Sequence, residues 1–306
     1  MKPLISVLGP TASGKSSLAL QLAQKFDGEI ISCDSMQVYR EMNIGSAKPT
    51  QEELDSIPHH FVDCFPIEKE YNAQLFCSLA EETMKDIQAR GKLPILSGGT
   101  GLYAKMFIYG ADTLPSDKSI AKDIRDHYES HGIELLHKEL EVLDKLSAER
   151  IKANDRRLMR ALEAARILKG ALPERSFSQE ARFPSHQFIL MPEAQFSREL
   201  IHARCLEMLE EGWIQEAQTL ISKGLLETPT AAQSLGYREI GDFLRDEMTF
   251  EELREKLSIK TSQYAKRQRT WFRNQHPGAS IHNFSSKEER LIAFSNIENS
   301  ISEYLG

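Results

Sequence analysis

Short apolar runs alternate with helix-period stretches through the first hundred residues. LISVLG (4–9), EIISCD (29–34) and KLPILSGG (92–99) are near-continuous apolar runs, each ending in Gly or Asp. That is the pattern of strands buried on both faces. Between them, KSSLALQLAQKF (15–26) and AQLFCSLAEETMKDIQARG (73–91) carry apolar residues at helical spacing. Alternation of this kind predicts an α/β fold with a parallel sheet, whose ligands bind beyond the carboxyl ends of the strands. The segments starting at Gly9, Asp34 and Gly98 should therefore converge. A turn-rich connector, YGADTLPSDKS (109–119), ends the alternation, and residues 120–170 read as polar helices without a strand. ALPERSFSQEARFPSH (171–186) reads as a second loop and QFILM (187–191) as a return to the sheet. The chain thus divides into a discontinuous core, 1–114 and 185–306, and a helical insertion, 115–184. The tail from Phe196 is mostly helical, and a Thr249–Glu252 capping box opens its TFEELREKLSIKTSQYAKRQRTWFRNQ segment.

With 306 residues, 41% of them hydrophobic, the chain is long enough for one large or two modest domains. No apolar run approaches the roughly 18 residues of a membrane span. Only Met1, Lys2 and Pro3 precede the first strand, which leaves no room there for a secretory signal. Cys33, Cys64, Cys77 and Cys205 are scattered without a CxxC pair, which points to reduced thiols in a cytoplasmic protein. A net charge of −7 argues on average against nucleic acid, but the bases are not spread evenly. From 260 to 273 lie Lys260, Lys266, Arg267, Arg269 and Arg273 without an acid, interleaved with Tyr264, Trp271 and Phe272. NDRRLMRALEAARILKG (154–170), N-capped by Asp155, carries Arg156, Arg157, Arg160, Arg166 and Lys169 around an apolar stripe of Leu158, Leu162 and Ala165. Each patch reads either as a phosphodiester footprint or as a solvated face with ion pairs to Glu163 or Glu255.

The clearest chemistry is GPTASGKS, which fits G-x-x-x-x-G-K-[ST] at Gly9, Gly14, Lys15 and Ser16. In that motif Gly9, Pro10, Thr11, Ala12, Ser13 and Gly14 form a loop around phosphate oxygens, and every one but Pro10 has a backbone N–H to point at them. The following helix contributes its positive end. Lys15 neutralises the phosphates, and the Ser16 hydroxyl is suited to Mg²⁺. The motif specifies a di- or triphosphate, not ATP and not hydrolysis. LPILSGG lacks the terminal Asp that holds Mg²⁺ in ordinary P-loop ATPases. EIISCD does end in an acid, Asp34, which is either a base or metal holder or a turn former. SGGTGLYAK can be read as a dinucleotide fingerprint, Gly99-x-Gly101-x-x-Ala104, but no acid follows at the required distance; a tight turn is the alternative. His59–His60 lacks a third ligand at metal spacing and reads as structural.

Taken together, GPTASGKS (9–16), DSMQVYR (34–40), IGSAKPT (44–50), GGTGLY (98–103), NDRRLMRALE (154–163), LGYREI (235–240) and YAKRQRTWFR (264–273) resemble the tRNA isopentenyltransferase family. The resemblance runs along most of the chain and is of the bacterial type, since no zinc-finger region follows YAKRQRTWFR in this sequence. It implies a P-loop NTPase-like core with a helical, tRNA-contacting insertion. It also implies transfer of a dimethylallyl group from dimethylallyl diphosphate to the exocyclic amine of the adenosine following the anticodon. Gly9 to Ser16 would hold the diphosphate with Mg²⁺, with Thr11, Lys15, Ser16 and Asp34 as catalytic groups and Asp34 taking the amine proton. Asp34, Ser35, Met36 and Gln37 would meet the base and its neighbours. Thr100, Lys122, the run Arg156, Arg157, Leu158, Met159 and Arg160, and the run Lys266, Arg267, Gln268 and Arg269 would contact tRNA. Ser16 stands where the family often has Thr. Around Arg204, RELIHARCLEML is shorter than the family's two-arginine pattern, which leaves a second diphosphate-binding Arg unassigned. The expected partners are the tRNA anticodon stem-loop and dimethylallyl diphosphate, with no membrane, and the protein is expected to act as a monomer. A small-molecule kinase, an adenylate isopentenyltransferase acting on free AMP, and a nucleotide-gated RNA-binding module are the competing readings.

Overall fold

A computed structural model describes residues 2–110, 114–151, 154–173, 178 and 180–306. Parts of the two expected linkers, 111–113 in the first and 174–177 and 179 in the second, lie outside the described residues. In chain order the elements of the first half are β1 (Leu4–Leu8), α1 (Lys15–Phe26), β2 (Gly28–Ser32), α2 (Gln51–Ser56), β3 (His59–His60), α3 (Ala73–Ala89), β4 (Leu93–Gly98) and α4 (Gly101–Tyr109). Then come α5 (Lys118–His131), α6 (Ile133–Leu143), α7 (Lys145–Arg150) and α8 (Asp155–Leu168). The chain returns through β5 (Ser185–Pro192), α9 (Ala194–Glu210), α10 (Trp213–Ser222), α11 (Tyr237–Leu244), α12 (Phe250–Gln275), β6 (Ser280–Phe284) and α13 (Lys287–Leu305).

It forms two compact units, one of residues 1–110 and 178–306, the other of residues 111–177. In the first, six strands form one sheet in the order β3-β2-β4-β1-β5-β6, and every pair is parallel. Strand residues alternate between the two faces. Leu4 and Leu8 of β1 join a core with α3, α4, α9 and α12, whereas Ile5 and Val7 join a core with α1 and α13. The helix after β1 therefore covers one face and the helix after β4, its neighbour, covers the other. Loops that leave a parallel sheet in opposite directions open a crevice at its carboxyl edge.

The apolar runs mark β1, β2, β4 and β5 correctly. Two further strands lie at the sheet's edges. β3 is only His59 and His60, and β6 exposes Ser280, Ile281 and Asn283 while burying Phe284. An edge strand is not buried on both faces, so its apolar signal is weak. His60 Nε2 donates to Glu29 Oε2 (2.8 Å), whose carboxylate is also gripped by Arg90. Arg90 first, then His60, holds the buried Glu29 carboxyl down at about 2.

In the second unit, Ile124, Leu136, Leu140, Leu158 and Leu162 from α5, α6 and α8 make a separate small core. The α8 cap is Asn154, not Asp155: the Asn154 side chain accepts from Arg157 N, and Asp155 is the first helical residue. Asp155 instead accepts from the Tyr128 hydroxyl at 2.8 Å.

Candidate functional site

The carboxyl ends of β1, β2 and β4 meet at a cavity of about 400 Å³. Thr11, Lys15 and Ser16 line it from the P-loop, and Asp34, Ser35, Met36 and Gln37 from the turn after β2. Arg204 of α9 and Tyr264, Arg267 and Gln268 of α12 complete the opposite walls. The P-loop takes its shape from Gly14, which is left-handed at φ 87° and opens α1 without a capping side chain. Glycine adopts that conformation without steric penalty, and the uncapped helix end is left to an anion.

Lys15 and Arg204 set the charge of the cavity. Burial, and then the Arg204 guanidinium, bring the Lys15 ammonium down to about 8, against the pull of Asp34. Burial likewise lowers Arg204. Neither forms an ion pair among the described residues, so two desolvated cations face the space beside Asp34. The repulsion between such a pair is relieved by an anion. Arg204 lies in the segment whose arginine pattern left a second diphosphate-binding Arg unassigned, and it lines the cavity. A signal was present in RELIHARCLEML, where Ile201, Cys205 and Met208 face the cavity at helical spacing with Arg204 between them.

Asp34 is a turn former that also lines the cavity. Its Oδ1 accepts from Met36 N (2.8 Å) and Gln37 N (3.3 Å), closing a turn. The carboxylate still lines the cavity, with Oδ2 outside that turn. Thr100 stands behind this turn: its Oγ1 accepts from Ser35 N at 3.1 Å, and its own N–H donates to Cys33 O at 3.2 Å. Gln37 is fixed at both ends of its carboxamide. Nε2 donates to Ala47 O (3.0 Å) and Oε1 accepts from Ser32 Oγ (2.9 Å).

The basic helix α12 is partly committed to the fold. Gln268 is only 7% exposed. Its Oε1 accepts from Thr11 N (2.9 Å), and its Nε2 donates to Gly99 O (2.8 Å). It is a clamp between the P-loop and the loop after β4. The glycines of SGGTGLYAK make room for that helix: a Cβ on Gly99 would lie 2.5 Å from Gln268 Nε2, and one on Gly101 2.2 Å from Trp271 Cδ1. Close helix packing, not a dinucleotide, accounts for them. Lys260 pairs with the buried Glu239. Among the described residues Lys266, Arg267, Arg269 and Arg273 form no ion pair. Lys266, Arg267 and Trp271 line a shallow second hollow, and the Arg267 guanidinium lies 5.8 Å from the Tyr264 ring centre. Arg269 is turned toward Arg198 and Arg273, and burial and those two charges lower it.

The site residues expected in the insertion behave unequally. Leu158 is 2% exposed in that unit's core, and Met159 packs against the same core. Arg160 donates to Leu114 O (2.6 Å), Pro115 O (2.8 Å) and Glu163. Those two side chains, Leu158 and Arg160, serve the insertion's own structure. Arg156 and Arg157 are exposed, and Lys122 is exposed and pairs with Asp126 at 2.6 Å. Arg166 is engaged by Glu139 and Asp123.

Among the described residues no cluster of three or more His, Cys, Asp or Glu side chains could hold a metal, all four cysteines are free, and no helix is long and apolar enough to cross a membrane. A model of the IPP transferase family matches residues 37–275. The chain is 38% identical over 277 residues to the tRNA dimethylallyltransferase of Macrococcus caseolyticus, covering 89% of this chain and 88% of that one. It is 41% identical to that of Geobacter metallireducens, with 88% and 89% covered. The crystal structure of the tRNA isopentenylpyrophosphate transferase of Bacillus halodurans superposes with a TM-score of 0.71 at 34% identity, covering 99% of this chain and 96% of that one. A eukaryotic dimethylallyltransferase acting on tRNA gives 0.77 at 26% identity, with 98% and 80% covered.

Proposed function

The chain belongs to the IPP transferase family, and from that premise we propose how its cavity transfers a dimethylallyl group to tRNA. The donor is dimethylallyl diphosphate, and the acceptor is the exocyclic amine of the adenosine 3′ to the anticodon. The observation that carries the reading is the shared cavity: Lys15 of the P-loop, Arg204 of α9 and Asp34 line the same space.

The amine nitrogen attacks the allylic carbon, the carbon–oxygen bond breaks, and diphosphate leaves with the electron pair. Lys15, Arg204 and the backbone N–H groups of the loop stabilise the charge that grows on the leaving oxygen. The amine is a weak nucleophile because its lone pair is conjugated into the purine. A hydrogen bond to Asp34 sharpens it, and Asp34 accepts the proton released as the new bond forms. Anticodon-loop bases are single-stranded and can be splayed into a protein cavity for roughly a few kcal/mol. Lys266 and Arg267 supply phosphate contacts at the shallow hollow that Trp271 also lines.

Ser16 lines the cavity, and among the described residues no cluster of three or more His, Cys, Asp or Glu side chains offers a metal cage. That donor set fits Mg²⁺, which keeps several waters and binds largely through substrate phosphates. Ser16 would hold it, and the ion would add positive charge to the diphosphate.

The test is Asp34→Ala with dimethylallyl diphosphate and an unmodified anticodon stem-loop. Turnover should fall on the order of 100-fold or more, as for loss of a general base, with RNA affinity nearly unchanged. A large loss of affinity at an intact rate would remove Asp34 from this role.

A further inference from the structure

Two stretches of the chain, IGSAKPT (44–50) and LGYREI (235–240), have no chemistry of their own, and the fold brings them together. Asn43, Ile44 and Gly45 present three successive backbone N–H groups to a single carboxylate, that of Glu216 in α10. Glu216 Oε2 accepts from Asn43 N at 2.8 Å and Ile44 N at 2.7 Å, and Oε1 accepts from Gly45 N at 2.9 Å. The Tyr237 hydroxyl donates to the same Oε1 at 2.7 Å. Four donors thus converge on one carboxylate, two on each oxygen. Burial, and then the Glu216 charge, push the Tyr237 phenol up, so it remains a donor. Trp213, one turn ahead of Glu216, fills the remaining space. A Cβ on Gly45 would lie 2.3 Å from its Nε1, and one on Gly236 2.2 Å from its Cζ2. The indole can occupy its place only because both positions are glycine.

The other end of the stapled loop reaches the cavity. The carbonyls of Ala47 and Ser46 accept from Gln37 Nε2 at 3.0 and 3.4 Å. Carbonyls only accept, so they fix which way the carboxamide points, and its oxygen stays on the Ser32 side. Gln37 N in turn donates to Asp34 Oδ1. A continuous chain of contacts thus runs from Glu216 through residues 43–47 and Gln37 to Asp34.

We propose that Glu216 is a positioning residue of the transferase: its carboxylate staples the 43–47 loop and thereby holds Gln37 and the Asp34 turn against the incoming base. The proposal rests on the function given above. It assigns α10 and the LGYREI segment to the acceptor side of the reaction, while the P-loop, Lys15 and Arg204 serve the donor.

Two variants test it. Glu216→Gln keeps the volume but turns one oxygen into a group that cannot accept, and Tyr237→Phe removes a single donor. The efficiency kcat/KM for an anticodon stem-loop should fall about tenfold in the first and a few-fold in the second, the scale expected for small misplacements. KM for dimethylallyl diphosphate should stay within about twofold, because the phosphate grip is untouched. In a Gln37→Ala background, Glu216→Gln should cost almost nothing more, since the path runs through Gln37. Hydrogen exchange at the Asn43, Ile44 and Gly45 amides should be slow in the wild type and fast in Glu216→Gln. The proposal is overturned if exchange accelerates while stem-loop kinetics do not change, if both substrates suffer alike, or if the two substitutions add in full. A wild type that transfers no dimethylallyl group overturns the function itself, and this control separates that failure from failure of the staple.

Discussion

Replacing Gln268 by Ala tests whether α12 is tied to the phosphate grip. The carboxamide joins Thr11 N and Gly99 O, two backbone groups far apart in sequence, at 2.9 and 2.8 Å. The substitution leaves the Thr11 N–H without its acceptor beside a residue that is 7% exposed, while Gly99 O loses one of two donors and keeps Gly101 N at 3.0 Å. Each lost bond is worth about 1 kcal/mol net, and each stranded buried group adds about 1 kcal/mol or more when water cannot reach it. The core should lose about 2–4 kcal/mol. Because the chain has two units, its unfolding need not be a single step, and the probe must report on the core alone. Both tryptophans, Trp213 and Trp271, lie in that unit, so urea unfolding followed by tryptophan fluorescence isolates it. Gln268→Glu sharpens the test. Thr11 N still finds an acceptor, but the other carboxylate oxygen faces Gly99 O and is repelled until it is protonated. Its folded-state pKa is therefore raised above the unfolded value of about 4.3, and the variant should regain stability as pH falls through the raised value. A loss below about 0.5 kcal/mol in Gln268→Ala, the ordinary range of surface substitutions, would refute the clamp. So would a Gln268→Glu variant with no recovery in acid.

Other predictions concern charge. Lys15 binds phosphate as the ammonium, and burial and Arg204 bring it down to about 8, so KM for the diphosphate substrate should be level below that pH and rise above it. A profile still level at about pH 9 would contradict the cause assigned to Lys15. Glu29, held at about 2 against an ordinary 4.5, contributes stability above pH 4.5 that is lost as pH falls toward 2. Arg90→Met should weaken that acid dependence, and an unaltered acid limb in thermal unfolding would deny Arg90 the leading part. Removing Lys266 and Arg267 together should flatten the salt dependence of stem-loop affinity by about 1.4 in logarithmic slope, from roughly 0.7 per single-strand phosphate. An unchanged slope would return that face of α12 to solvent.

What the sequence disclosed followed how local each feature is. The P-loop is eight consecutive residues, and β1, β2, β4 and β5 are buried on both faces, so pattern alone places them. β3 and β6 are edge strands with polar residues, and their two-residue or half-exposed pattern carries little signal. Asn154 and Asp155 are adjacent residues with similar capping ability, and only the observed hydrogen bond separates them. The site's partners divide the same way. Asp34 stands at the end of a visible strand, but the Gln268 clamp spans 257 positions and the Glu216 staple more than 170. Neither side chain differs in type from a surface residue. Their roles arise from the donors and acceptors that the fold brings to them.

The central claim is that a phosphate grip and an amine-activating carboxylate serve one displacement. Dimethylallyl diphosphate and an unmodified tRNA, incubated with the wild-type protein and followed by mapping of the modified nucleoside, test it most directly. The account predicts one dimethylallyl unit on the amine of the adenosine 3′ to the anticodon for each diphosphate released. Diphosphate release without that product, or phosphoryl transfer from ATP in its place, would contradict it.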